Sequence, residues 1–481
     1  MKLEQWCRLD ESIYVAESEE RYLQYSGLGG SESVIKKLAE IKSANAELFL
    51  ESFQEPRELY LLAIENIADA RTKKLELELY NLRNKKISMK GISFRNSPLN
   101  WSSWRQFNST QKDSRVRKRV FDEFIRKTRF ISPTVQKRFE QIAASYEASS
   151  KGRISPLEGY LQNEKIGLAE LTALVKSMAN RARKPFQEML EDSGRSVLGR
   201  QAEYYDDFYF FRNRVFKEFE GAFAGINPVA LVKRVLSKMD LDLSRVQFDS
   251  QDRKDKYPSP VCFFIHIPTD IRVLFKSESP YFDLQGCFHE TGHAMHASAI
   301  SGSLEYWNRY GFSMGVAEVF SIFLERLTKN GRFLSSIGIT DQKTLDGLHE
   351  RNRFMDLFFV TFYAANSMMK TEYWRKNLSI EEANDCYAKY YQRYVGFEMP
   401  GQYWLLHHIL PDAVMYVPSY LLAAVRAAEL ESRMRDRFGE LWWDERKAGQ
   451  YLREIMSAGA QINLSEFSRL DADIFMREAG A

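Results

Sequence analysis

Cysteine is nearly absent. The 481 residues hold four, Cys7, Cys262, Cys287 and Cys386, and none forms a CxxC pair. That is too few and too scattered for a disulfide framework, and it points to a reducing interior. Long apolar runs are missing too. The most apolar segment, "FMDLFFVTFYAANSMM" (354–369), is too short for a membrane span and contains Asp356. The first residues, "MKLEQWCRLDES", carry an acid by position 4 and lack the apolar centre of a secretory signal. An excess of one charge sign is also missing: 68 Lys+Arg against 65 Asp+Glu leave +3. So mild a balance does not call for nucleic acid. The expectation is a cytoplasmic protein without a membrane or nucleic-acid partner. What is present, 44% hydrophobic and 28% charged residues, is the composition of a core-forming globular chain.

Residues 1–225 read as helix after helix. "SESVIKKLAEIKSANAELFLESF" places apolar residues at helical spacing behind a serine cap, and "EPRELYLLAIENIADARTKKLELELYNLRNK" continues the pattern. The basic stretch "SRVRKRVFDEFIRKTRF" (114–130) has Val116, Val120, Phe121 and Phe124 on one face, so its cations read as a solvated face. Gly27–Gly30 is a turn without the Lys-Ser/Thr that a phosphate loop needs. Near 246–276 the period changes. "VQFDS" and "PVCFFIHIPTDIRVLF" are β-rich, with Pro268-Thr269-Asp270 as a turn. From 283 onward the pattern is helical again. The expected class is mainly α, with a small β-hairpin or sheet directly before one particular helix. The expected division is an N-terminal helical region, 1–245, and a catalytic region, 246–481.

That helix carries "GCFHETGHAMHASAI" (286–300). The chain has seven histidines, and His289, His293 and His296 fall within eight residues. Positions i and i+4 share a helical face, so His289 and His293 can present imidazoles to one ion. Glu290 is rotated by about 100° and suits a water bound beside them. His296 lies about 10 Å along the axis from His289, too far to share a tetrahedral ion. A catalytic zinc needs a third protein ligand and an open position. Glu318, 29 residues after His289 on the helix of "YGFSMGVAEVFSIFLERL", supplies the ligand. Glu325, seven residues further on, suits a carboxylate that hydrogen-bonds a ligating histidine. Asp283 is a plausible cap for the HETGH helix, and Cys287 a buried packer.

The chemistry of such a site is hydrolysis, with Glu290 as general base for the water. Oxyanion donors come from elsewhere; "GQYWLLHHILPDAVMYVPSYLLAAV" (401–425) offers His407, His408, Tyr416 and Tyr420. A strand edge at 270–276 is expected to be open to an extended peptide.

"FHETGHAMH" resembles the HExGHxxH helix of the thimet oligopeptidase and oligoendopeptidase F family of zinc metallopeptidases. The resemblance covers about 255–460. It implies zinc, one per chain, held by His289, His293 and Glu318, with Glu290 as base and Glu325 as the family acid one heptad later. It implies that Tyr416, Tyr420 and His408, on the family's late Tyr-rich segment, stabilise the transition state. The implied fold is a zincin-like, two-lobed helical clamp whose channel is walled on one side by 1–245; the implied substrates are oligopeptides. Two features depart from the family: "VFSI" stands where xPSQ often follows the glutamate, and the tyrosine spacing differs. The same region is also similar to the HExxH carboxypeptidase Taq family, which trims C-termini. A non-catalytic, zinc-containing peptide-binding protein is a further alternative, against which Glu290 argues.

Overall fold

The computed structural model describes residues 2–53, 55–253, 256–257, 259–277 and 279–481. The chain is mainly helical. The helices used below are α1 (Leu3–Ser26), α2 (Glu32–Ser52), α3 (Arg57–Asn84), α4 (Trp101–Thr110), α5 (Ser114–Ser150), α6 (Leu168–Leu198), α7 (Pro280–Ala299), α8 (Met314–Arg326), α9 (Gln342–Lys376) and α10 (Val417–Phe438). Three strands form one sheet: β1 (Val246–Asp249), β2 (Val261–His266) and β3 (Asp270–Leu274). No helix among the described residues is long and apolar enough to cross a membrane.

The chain forms two compact units, each drawn from three stretches: 1–71, 219–349 and 422–475 in the first, 72–218, 350–421 and 476–481 in the second. The expected division at 245/246 follows sequence order, which these units do not.

In the first unit the sheet order is β1-β3-β2. β3 pairs with β1 in parallel and with β2 antiparallel, so 270–274 is the centre of the sheet. The expected open edge at 270–276 is therefore corrected: β1 and β2 are the edges. The hairpin itself was legible from its turn; the parallel partner, some twenty residues upstream, left no local signal. β2 turns Phe263 toward Tyr22 and Tyr25 of α1, at ring distances of 5.5 and 5.6 Å. The pleat turns Phe264 the other way, where its ring lies 6.3 Å from His293 of α7. A buried polar knot fastens α1: the Asp10 carboxylate accepts from Asn45, Asn66 and the Tyr306 hydroxyl.

α7 starts at Pro280, and its cap is Ser279, not Asp283. Proline is suited to the first helical turn because its missing N–H needs no partner there. Asp283 instead reaches back and accepts from the Ser279 N–H at 3.2 Å and from the Ser277 hydroxyl. Ser313 caps α8, accepting from the Val316 N–H. The two helices meet where α7 has no side chain. A Cβ on Gly292 would stand 2.3 Å from the Phe320 carbonyl oxygen and 2.6 Å from the Ser321 Cα. Cys287 is fully buried, as its packing role requires.

The second unit packs around aromatic stacks such as Trp104 on Phe124 and Phe211 on Phe358. Here α5 departs from the expected solvated basic face. Val120, Phe121 and Phe124 are buried, but so are Arg117 and Lys127. Arg117 pairs with Asp206 at 2.6 Å, and Lys127 donates to the carbonyls of Arg83 and Lys85. Arg117 also donates to the nearby Gln111 and Lys112 carbonyls, but the carboxylate that neutralises it and both partners of Lys127 lie far off in sequence.

Gly292→Ala is expected to force α7 and α8 apart and to destabilise the protein by about 1–3 kcal/mol, as overpacking does. The shift of the urea unfolding midpoint measures it; an unchanged midpoint would show that the helices are free to separate.

Candidate metal centre

The α7–α8 contact brings three donor atoms together. Glu318 Oε2 lies 3.4 Å from His289 Nε2 and 3.6 Å from His293 Nε2. All three donor atoms fall within 4.8 Å of one another. Ligand bonds of about 2.1 Å at tetrahedral angles place donors about 3.4 Å apart, so the triangle fits a zinc ion. Its chemistry also fits: two imidazoles and a carboxylate are a protein ligand set of catalytic zinc. Among the described residues this is the one cluster of histidine, cysteine and acidic groups with such spacing.

Two of the donors are held by hydrogen bonds and the third by packing. His289 Nδ1 is 2.9 Å from Glu325 Oε2. That bond keeps a proton on Nδ1, so that Nε2 is the nitrogen that ligates once its own proton is lost. Glu325 in turn lies 3.4 Å from Lys329. Burial opposes its charge, but Lys329 and His289 outweigh that and hold it down at about 2. Glu318 is 2% exposed, and its Oε2 accepts from the Ser321 hydroxyl at 2.9 Å. The His293 ring packs beside Phe264, and burial lowers its pKa to about 4. Burial disfavours charge on His289 as well, yet Glu318 and Glu325 raise its pKa well above the ordinary histidine value. Without metal, the proton on His289 offsets part of the carboxylate charge.

Glu290 stands beside the donors and outside the triangle. Burial raises its carboxyl to about 7; His289 and the Cys262 main-chain N–H pull it down, while Glu318 and Glu325 push it up. The Cys262 contact ties Glu290 to the outer edge of β2. A carboxyl poised near neutrality can take up and return a proton at working pH.

His296 is not part of the site. It is fully buried between the rings of Phe312 and Phe320, at 4.9 and 4.6 Å, and burial lowers it to about 3. It is a neutral packing residue.

The other residues singled out in the sequence lie in the second unit. Tyr416 precedes the first turn of α10 and Tyr420 lies within it, their rings 5.2 Å apart. Tyr420 also packs against Tyr363 at 4.7 Å. His407 is buried and His408 half-buried, with rings 4.4 Å apart. His407 Nδ1 accepts from the Ile409 and Leu410 N–H groups, which puts its proton on Nε2. Burial, together with Arg83, Arg105 and Arg212, holds both imidazoles well below the ordinary value, so both are neutral.

Three contributors escaped the sequence reading: Gly292, Ser321 and the Cys262 N–H. The first two had a signal. Glycine inside a helix asks for a close neighbour, and serine is the residue that "VFSI" shares with xPSQ. A main-chain donor has no signal in sequence.

No protein-family model and no curated protein matches the chain. Solved structures do. PZ peptidase A, determined with an inhibitor, superposes with a TM-score of 0.63 at 15% identity, over 99% of this chain and 85% of that one. A protein described as an oligoendopeptidase F from Bacillus anthracis str. Ames gives 0.60 at 14%, over 96% and 84%. The M32 carboxypeptidase from Deinococcus radiodurans R1 gives 0.62 at 15%, over 99% and 98%. At such identities the likeness establishes the fold: this chain has the helical, zincin-like fold of these proteins.

Two outcomes follow from the geometry. Ser321→Ala leaves Glu318 without its hydroxyl partner and is expected to weaken zinc binding by about tenfold, read by chelator competition. Zinc must displace the proton that His289 holds, so affinity falls as pH falls. Calorimetry in two buffers of different ionisation enthalpy measures the proton released; binding with no release would contradict the charge state given to His289.

Proposed function

We propose that this chain is a zinc-dependent metallopeptidase that cleaves oligopeptides. The observation that carries the proposal is the His289–His293–Glu318 triangle with Glu290 beside it and outside it. A purely structural zinc site has no use for such a carboxylate.

His289, His293 and Glu318 would hold the ion. Zinc, when bound, supplies a Lewis acid for the peptide carbonyl and a water acidic enough to react near neutral pH. Glu290, tethered by the Cys262 N–H, takes the proton of the attacking water and returns it to the leaving nitrogen. Glu325 keeps the His289 ring in the ligating tautomer. Tyr420, Tyr416 and His408 are proposed as donors to the peptide during the reaction, on the resemblance of their segment. With β3 interior to the sheet, an extended peptide is assigned to the β2 edge, next to the Cys262 contact with Glu290. Main-chain pairing of this kind tolerates many side chains.

Internal cleavage is the reading favoured by the HExGHxxH helix. Removal of C-terminal residues is favoured by length: this chain spans 98% of the Deinococcus carboxypeptidase but 84–85% of the PZ peptidase and oligoendopeptidase F chains.

A matched peptide set, each member with a free and an amidated C-terminus, separates these modes by mass spectrometry. Internal cuts that ignore the amide establish an endopeptidase. Single-residue losses from free ends alone establish a carboxypeptidase. Glu290→Gln is expected to keep zinc at one per chain and to lose turnover; Glu318→Ala is expected to lose both. Absence of cleavage by the zinc-loaded wild type would leave a peptide-binding protein.

A further inference from the structure

Residues 407–416 contain no helix or strand, yet several of their carbonyls accept from side chains distant in sequence. Leu406, just before them, accepts from Trp101 Nε1 at 2.9 Å and from Arg105. The Pro411 and Asp412 carbonyls accept from Arg138. Val414 accepts from Trp374 Nε1 at 2.9 Å. The Asp412 side chain pairs with Arg83 at 2.7 Å. Inside the turn, Ile409 accepts from the N–H groups of Asp412 and Ala413.

The Leu410 carbonyl of the same turn is held by Lys370 Nζ at 3.1 Å. Lys370 is 1% exposed. Its amine lies 4.1 Å from the centre of the Phe139 ring and within 5.7 Å of the Tyr373 and Trp374 rings. Burial, reinforced by Arg138 and opposed by Asp412, drives its pKa well below the ordinary lysine value. Burying an amine is a costly way to hold one carbonyl, because an apolar side chain of similar length would fill the same cage without losing hydration. Such a cost is retained where a loop must be fixed to within a fraction of an ångström.

We propose that Lys370 is a positioning residue: from its aromatic cage it holds the Leu410 carbonyl and so fixes the turn that carries His408 and Tyr416. The inference rests on the peptidase reading for its catalytic consequence. Lys370 touches no substrate; it acts through the turn.

Lys370→Met keeps the length and the apolar contacts and removes the donor. The expected result is zinc at one per chain, an unfolding midpoint close to wild type, an unchanged KM and a kcat lowered by at least about tenfold, since a displacement near 1 Å costs up to about a hundredfold. In the Tyr416→Phe background the same substitution is expected to cost much less, because two residues acting through one element are non-additive. Nitrogen-15 spectra of histidine-labelled protein read the turn without substrate. Wild type is expected to give one neutral His407 form with the proton on Nε2, and Lys370→Met a second or exchange-broadened form. An unchanged kcat with an unchanged His407 spectrum overturns the proposal, as does full additivity with Tyr416→Phe. A wild type that cleaves nothing, while Lys370→Met still alters the His407 spectrum, overturns the peptidase reading and leaves the hold of Lys370 on the turn standing.

Discussion

Everything at the metal centre depends on how closely α8 approaches α7. Glycine at 292 removes the one side chain that would keep the helices apart, and the Phe320–Ser321 backbone occupies its place. Only at that spacing can Glu318, a short turn before the contact, bring a carboxylate oxygen to both imidazoles. The neighbouring Ser321 then serves twice, as the surface that meets Gly292 and as the hydroxyl that orients Glu318. A packing constraint thus sets the geometry of the donor triangle, and the donor groups add to it rather than create it.

The second constraint is charge. Glu290, Glu318 and Glu325 gather around two imidazoles in a largely buried place. Lys329 and a protonated His289 offset part of that negative charge. A divalent cation offsets more of it and needs His289 deprotonated. The site is therefore arranged around a positive charge that can be supplied in either form, with Glu290 left near neutrality because it is buried among like charges.

How much of this was legible in the sequence follows from range. The HETGH helix and the Glu318 and Glu325 face of the next helix are statements about 3.6-residue periodicity, and periodicity is local. The burial of Arg117 depended on Asp206, 89 residues away, and so looked like a solvated cation. The centrality of β3 depended on a parallel strand upstream, whereas a hairpin reading sees only its nearest partner. Ser279 displaced Asp283 as the helix cap because Pro280 fixes the first turn; both residues satisfy a capping pattern, and the backbone decides between them. What His407 Nδ1 meets, the N–H groups of Ile409 and Leu410, depends on the turn of the backbone and not on its neighbour in sequence.

The donors of the metal triangle lie within 30 consecutive residues, 289 to 318, on helices separated by a short connection. Closing so short a loop costs little chain entropy. The knot around Asp10, by contrast, joins residues almost 300 positions apart. The donor triangle thus needs only a local closure of the chain, whereas fastening α1 joins residues from the two ends of a span of nearly 300 positions.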